Sequence, residues 1–324
     1  MSASLRGSLL ALLAFAIFAT HDVIIKWLGG SYAPFQIVFF SVLFGFPFVT
    51  LMLLRDASEA NLIPRHPWWI ALRTLATVVT GLCAFYAFSV LPLAQTYAIL
   101  FASPLLITLL AIPMLGEQVG WRRTMAVFVG LGGVIVVLQP GQTELSLGHA
   151  AALVAAFTGS FASLVVRKIG QEERPVVLIL YPMVANFLLM GAAMPFVYEP
   201  MPGLDVAGLA VMAALAFIAT FFLILAYRLA SAVMVAPMQY SQIIWATLFG
   251  VVLFDESLDR PTVIGSAIIV ASGIYIVLRE GKSGRSANTP VLRTRTRLGT
   301  PAGFRISPFL SRDRRGPVEA EDAH

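Results

Sequence analysis

The chain has 324 residues, of which 58% are apolar and only 12% charged, and its mean hydropathy is +0.85. Soluble domains sit near about 45–50% apolar and about 25% charged residues, so a water-soluble globular protein is excluded. The formal charge of +5 does not point to nucleic acid, because nine basic residues, from Lys282 to Arg315, crowd into the last stretch of chain.

Runs of about twenty apolar residues recur from one end to the other, the length that crosses a hydrocarbon layer of about 30 Å as a helix. They do not alternate, which excludes the strands of a membrane barrel. Ten helices are predicted, over Ser8–Leu28, Ala33–Leu54, Trp68–Val90, Ala94–Leu115, Thr124–Leu138, Leu147–Val166, Val176–Val197, Val206–Leu229, Ala232–Phe254 and Thr262–Leu278. Arg6 precedes an apolar run too long for the core of a secretory signal, so the first helix is expected to be retained. Gly29-Gly30, Pro64 and Pro67, Pro140-Gly141, Gly170, Pro200 and Pro261 punctuate the connections. Pro104 and Pro237 lie inside the fourth and ninth helices and predict kinks there.

Lys and Arg divide unevenly between alternate connections. One set holds Arg6, Arg55, Arg65, Arg122, Arg123, Arg167, Lys168, Arg174, Arg228 and the tail, and the other holds only Lys26 and Arg260. That bias predicts that both termini are cytoplasmic. The segment 281–324 is rich in Arg, Ser, Thr, Pro and Gly and has no apolar period, and is read as a disordered basic cytoplasmic tail.

The chain also repeats. Lys26, Gly29 and Pro34 match Arg167, Gly170 and Pro175 at identical spacing, Leu115-Gly116-Glu117 matches Phe254-Asp255-Glu256, and the stretch from Gly133 to Leu138 matches that from Gly273 to Leu278. Residues 8–139 and 147–279 are therefore two five-helix units. An odd number of crossings per unit makes them an inverted repeat, an architecture that places a substrate between its halves near the membrane midplane. The expected fold is all-α: ten transmembrane helices in two inverted halves.

Polar groups inside these spans are the candidates for function, because an ionisable residue in hydrocarbon is costly. His21 and Asp22 come first. Asp22 and Lys26 are four residues apart and could neutralise each other on one helix face. The competing reading has His21 or Asp22 facing a cavity, taking up a proton or touching a polar substrate group. Gln239, Tyr240, Gln242 and Trp245 mark the ninth helix, and Gln95, Tyr97 and Phe101 mark the fourth. Their amides serve either as interhelical hydrogen bonds or as contacts to a heterocycle. Asn186 with Tyr181 is a weaker candidate. The aromatic residues Phe39, Phe40, Tyr86 and Phe221 are expected to join the cavity wall. Trp68, Trp69 and Trp121 read as interfacial anchors, Arg73 and Arg228 as snorkelling at helix ends, and Gly130, Gly133, Gly265 and Gly273 as packing surfaces. Glu117 and Glu256 read as determinants of the repeated fold.

Nothing catalytic is assembled. No Gly-rich phosphate loop supports ATP-driven pumping. His21, His66, His149 and His324 lack the grouping of metal ligands, and the single Cys83 can form neither an internal disulfide nor a metal cluster alone. The chain is read as a non-enzyme without cofactor or metal, with a small-molecule substrate, the lipid bilayer and a proton or other coupling ion as its partners.

The doubled ending of the fourth and ninth helices, from Pro104 to Leu115-Gly116-Glu117 and at Asp255-Glu256, and the Gly-rich fifth and tenth helices resemble the drug/metabolite transporter superfamily with paired EamA domains. The resemblance covers about residues 5–280. The stretch Ala19-Thr20-His21-Asp22-Val23-Ile24-Ile25-Lys26 is similar to the first helix of the branch that includes S-adenosylmethionine uptake carriers, and riboflavin carriers belong to the same broad group. The resemblance implies a ten-helix secondary carrier of a bacterial inner membrane, with a cavity lined by the first, third, fourth, sixth, eighth and ninth helices. Members carry amino acids, nucleotide sugars, vitamins and drugs. The aromatic and amide residues favour uptake of a flat heterocyclic vitamin or cofactor, riboflavin or S-adenosylmethionine. Export of amino acids or drugs is the alternative, and a membrane interaction protein without transport is a more remote one.

Overall fold

The computed structural model describes residues 3–54, 62–116, 119–141, 144–170, 172–230 and 232–282. Glu117 and residues 283–324 of the tail lie outside them. The described chain is helical: α1 (Ala3–Gly29), α2 (Pro34–Leu54), α3 (Pro67–Val90), α4 (Leu93–Leu100), α5 (Ser103–Leu115), α6 (Trp121–Leu138), α7 (Leu147–Ile169), α8 (Pro175–Val197), α9 (Gly203–Leu229), α10 (Ala232–Val235), a 3-10 turn over Ala236–Tyr240, α11 (Ser241–Phe254) and α12 (Arg260–Lys282). Among the described residues nine stretches are long and apolar enough to cross a membrane, with Leu93–Leu115 counted as one, and Pro34–Thr50 of α2 adds a shorter apolar helix. In hydrocarbon only a helix satisfies its own backbone within one segment, which is why every span adopts it.

The fourth and ninth helices, predicted to kink at Pro104 and Pro237, are each broken into two pieces. The fourth breaks at Phe101-Ala102, just before Pro104 in the first turn of α5. The ninth passes through the 3-10 turn that holds Pro237. Proline lacks the N–H that would bond four residues back, and it crowds that carbonyl, so each break falls beside its proline.

Helix packing follows the repeat. α1 packs on α9 and α3 on α7, so the first helix of each half lies against the third helix of the other; α2 pairs with α8, α4 with α11 and α6 with α12, each helix with its own repeat mate. The halves run in opposite directions. Lys26 near the end of α1 reaches Leu91 just past the end of α3, whereas Lys168 near the end of α7 lies over Trp69 at the start of α3. Lipid tails are as apolar as leucine, so these helices associate by close packing and hydrogen bonds rather than by expelling water. α6 and α12 show how close: a Cβ on Gly133 would lie 2.9 Å from the Gly265 carbonyl oxygen, and one on Gly265 would lie 2.6 Å from that of Gly133. Arg73 does not snorkel; it is 3% exposed, buried in α3 among helices. Arg228 is exposed, and so are Trp68 and Trp121.

Candidate functional site

The site gathers where α1, α4 and α11 meet. α1 carries His21 and Asp22 late in its span, both 1% exposed. The short α4 presents Tyr97, and beside it the Thr96 hydroxyl donates to the Pro92 carbonyl at 3.0 Å. α11 contributes Gln242 from its first turn.

These four side chains form one hydrogen-bonded chain. His21 Nδ1 lies 2.7 Å from Asp22 Oδ1, the Tyr97 hydroxyl donates to Asp22 Oδ2, and Gln242 Nε2 donates to the Tyr97 hydroxyl at 3.1 Å. The chain crosses from one repeat to the other. Rings pack around it: Phe85 stands edge-on to His21 at 6.4 Å, Phe88 and Phe101 lie 5.2 and 5.7 Å from Tyr97, and Tyr240 lies 5.2 Å from Phe101. Tyr240 itself fits because α12 has no side chain at Gly273, where a Cβ would overlap its hydroxyl. A carboxylate with two donors inside hydrocarbon is held as a network, and breaking any member strands a buried polar group.

Lys26 is not the partner of Asp22. It pairs with Glu256 at 2.7 Å and donates to the Leu91 carbonyl at 2.7 Å, while the other Glu256 oxygen accepts the Leu93 N–H at the start of α4 at 2.9 Å. This knot ties α1 to the α11–α12 connection at one end of the bundle. Tyr32 and Asp205 (2.5 Å) and Gln36 and the Glu199 backbone (2.7 and 2.9 Å) tie the same end. The Tyr32 hydroxyl is pushed up to about 12, first because it donates to the Asp205 carboxylate. A shallow indentation opens there, lined by Gln95, Thr247, Glu256 and Asp259 among others. At the opposite end the His66 backbone donates to Glu173 and His66 Nε2 lies 2.6 Å from Glu172.

A family model described as the EamA-like transporter family matches residues 5–139 and 146–279, which is most of the chain in two copies. The chain belongs to the EamA-like transporter family. An S-adenosylmethionine uptake transporter of Rickettsia prowazekii is 25% identical over 280 residues, covering 86% of this chain and 95% of that protein. A riboflavin transporter of Rhizobium johnstonii is 26% identical over 292 residues, covering 88% and 95%. A solved crystal structure at 18% sequence identity superposes with a TM-score of 0.59 over 87% of this chain and 99% of its own, a likeness of fold alone.

Within this EamA-like transporter the eight sequence candidates divide. His21, Asp22, Tyr97 and Gln242 are joined by hydrogen bonds, and Phe101 and Tyr240 by ring contacts. Gln239 is half-buried beside Tyr240, and Trp245 is half-buried against Phe249, at 6.4 Å. Phe221 is 52% exposed and so lies on the outer face of α9, not in a cavity wall. Phe39 packs on Phe40 at 5.3 Å and on Phe187 at 5.0 Å, between α2 and α8. Asn186 donates to the Pro182 carbonyl of its own helix at 2.9 Å. His149 caps α7 by accepting the Ser146 N–H at 3.0 Å. Sequence reasoning missed the Lys26–Glu256 knot and the Tyr32–Asp205 bond. For the first, a signal existed: Lys26 and Glu256 each have a repeat mate, as parts of a shared framework would.

Proposed function

We propose that this protein is a secondary carrier of a bacterial inner membrane that takes up a small organic metabolite by alternating access. Ten crossings, both termini in the cytoplasm and the Lys26 end outside follow from the bias of Lys and Arg. The substrate binds between the halves at His21, Asp22, Tyr97, Phe101, Gln239, Tyr240, Gln242 and Trp245. It is a flat, partly polar cofactor or vitamin, of the class of S-adenosylmethionine or riboflavin. The observation that carries this reading is the buried chain from His21 through Asp22 and Tyr97 to Gln242, which joins the two repeats. Its members are each at most 3% exposed, so a substrate reaches them only when the halves separate. The relatives named for uptake of those two compounds support the substrate class.

Purified protein in liposomes tests it. Labelled S-adenosylmethionine or riboflavin is expected to accumulate, and a saturating ligand at 100 times its dissociation constant is expected to add about 2.7 kcal/mol to stability in a thermal-shift screen. Asp22→Asn is expected to lower uptake roughly ten- to hundred-fold at equal amounts of folded protein, the loss of a hydrogen bond to a charged group worth about 1.5–3 kcal/mol. Unchanged uptake in that variant reduces Asp22 to a structural role; no uptake of either compound under any ion gradient removes the proposed substrates.

A further inference from the structure

Two rungs join α1 to α4. The lower is the Tyr97 hydroxyl on the Asp22 carboxylate. Lys26 stands four residues further along α1, and Leu93 four residues back along α4, so both lie about 6 Å nearer the Lys26 end of the bundle. The upper rung joins them through the second half. One Glu256 oxygen accepts the Leu93 N–H at 2.9 Å, and the other pairs with Lys26 at 2.7 Å. The first N–H of a helix has no partner within it, and Pro92 before α4 offers no side-chain cap, so Glu256 caps α4 from a distant segment.

The chain is shaped to hold Glu256 there. Asp255 turns through the left-handed region at φ 52°, and the Glu256 N–H then reaches the Gly250 carbonyl at 3.0 Å. A Cβ on Gly250 would collide with the Glu256 carboxylate. The place of this rung among the packed pairs also sets it apart. Tyr32–Asp205 joins the end of α1 to α9, which pack closely on each other. Lys26–Glu256 joins α1 to the α11–α12 connection, and α12 packs closely on α6. Parting those two packed pairs breaks the upper rung and leaves Tyr32–Asp205 whole. The rung also lies nearest the water: its side chains are 13% and 14% exposed, and the indentation beside Gln95 and Asp259 reaches Glu256, whereas Asp22 beneath is 1% exposed.

We propose that Lys26 and Glu256 form the outer latch of transport, with Glu256 the positioning residue. Closed, the latch holds α4 so that Tyr97 meets Asp22. Released, it lets α1 part from α4 and opens the buried chain to the outside. This rests on the reading of an alternating-access carrier whose Lys26 end is outside.

Vesicles of known orientation test it. Cys83→Ser removes the one native thiol, and Phe101→Cys then places a reporter beside Tyr97 at a position that is 8% exposed. A membrane-impermeant maleimide is expected to react with it slowly from the outside. Lys26→Met with Glu256→Gln removes both charges and strands neither. It is expected to raise the outer rate at least about tenfold, a shift in population that needs about 1.4 kcal/mol of the tie, without raising the rate from the cytoplasmic side. Lys26→Arg keeps the cation and is expected to keep the slow outer rate. Tyr32→Phe cuts the other tie at this end and is expected to leave both rates unchanged. An equal rise from both sides marks general loosening and overturns the latch; so does an unchanged outer rate, or an equal effect of Tyr32→Phe. A rise from the cytoplasmic side alone keeps the latch and overturns the placement of the Lys26 end outside. The labelling needs no substrate, so failure to take up S-adenosylmethionine and riboflavin removes the substrate class and not the latch.

Discussion

α1 and α7 are the first helices of the two halves, and they differ where it matters. Both end in a basic residue followed by glycine and then proline at matching spacing. One turn or so earlier α1 has His21-Asp22, and α7 has Ala162-Ser163, buried at 8% each. The framework is doubled while the ionisable chemistry is single. A duplicated scaffold needs its basic helix end in both copies, because both copies must close a helix at a membrane boundary. The buried Asp22 carboxylate accepts from the Tyr97 hydroxyl, which in turn accepts from Gln242 of the other half.

The basic ends themselves are unequal, and substitution should widen the gap. Lys26 is largely buried with Glu256, at 13% and 14% side-chain exposure, and it also holds Leu91. Lys168, the residue after Arg167 that holds the place matching Lys26, is exposed, donates to Met114 at 3.3 Å and lies 4.4 Å over the Trp69 ring. Lys26→Ala leaves the Glu256 carboxylate without its cation and is expected to destabilise by about 3–5 kcal/mol, toward the lower figure because some solvent reaches the pair. Lys168→Ala is expected to cost at most about 1 kcal/mol. Unfolding of the detergent-solubilised protein measures both. The double variant Lys26→Met with Glu256→Gln should recover much of the loss, because it removes both charges together; equal losses in Lys26→Ala and in the double variant would show that the knot acts through packing alone.

A pair of repeat mates in α6 and α12 separates side-chain from backbone contact. Gly133 and Gly273 occupy matching places in α6 and α12. A Cβ on Gly273 meets the Tyr240 hydroxyl, a side-chain atom, while one on Gly133 meets the Gly265 backbone oxygen. Either change to alanine overpacks its site, at about 1–3 kcal/mol. Tyr240→Phe is expected to relieve Gly273→Ala in part, because it removes the hydroxyl but leaves the ring Cζ at 2.6 Å from the added Cβ, and to leave Gly133→Ala unimproved. Melting temperatures of the two singles and the two doubles decide it.

The sequence made the helices and the repeat legible because apolar length, glycine, proline and basic residues are local signals. The site was legible by residue type: every member of the hydrogen-bonded chain is a polar group in an apolar run. Its connections were not. Asp22 reads naturally against Lys26 on its own helix, and the distance along the chain to Tyr97 is bridged only by the packing of α4 on α11 and of α1 on α3. The misplacement of Phe221 has a different cause. α9 is apolar all round, since one face meets protein and the other meets lipid, so no period separates the two sides. The break in the fourth helix was foreshadowed by Pro104, but the kink falls at the residues before it, where the missing hydrogen bond is felt.

The smallest effect concerns the two connections that follow the first helices. Tyr32 and Glu173 hold matching places, counted from Gly29 and Gly170, and each reaches the start of the third helix of the other half: Tyr32 donates to Asp205, and Glu173 accepts from the His66 backbone. One tie thus depends on a phenol and its mate does not. Tyr32 titrates near 10 when unperturbed and at about 12 when bonded to Asp205. A raised value means that the folded state holds the proton more tightly, so the contribution is whole below pH 10 and is lost as pH climbs from 10 through 12. Tyr32→Phe should remove it at every pH, as the loss of one hydrogen bond. The difference in stability between wild type and Tyr32→Phe is therefore expected to be constant from neutrality to pH 10 and to close above it. A difference that persists at pH 12 would assign the cost to packing of the ring and leave the hydroxyl no part in holding this end of the bundle.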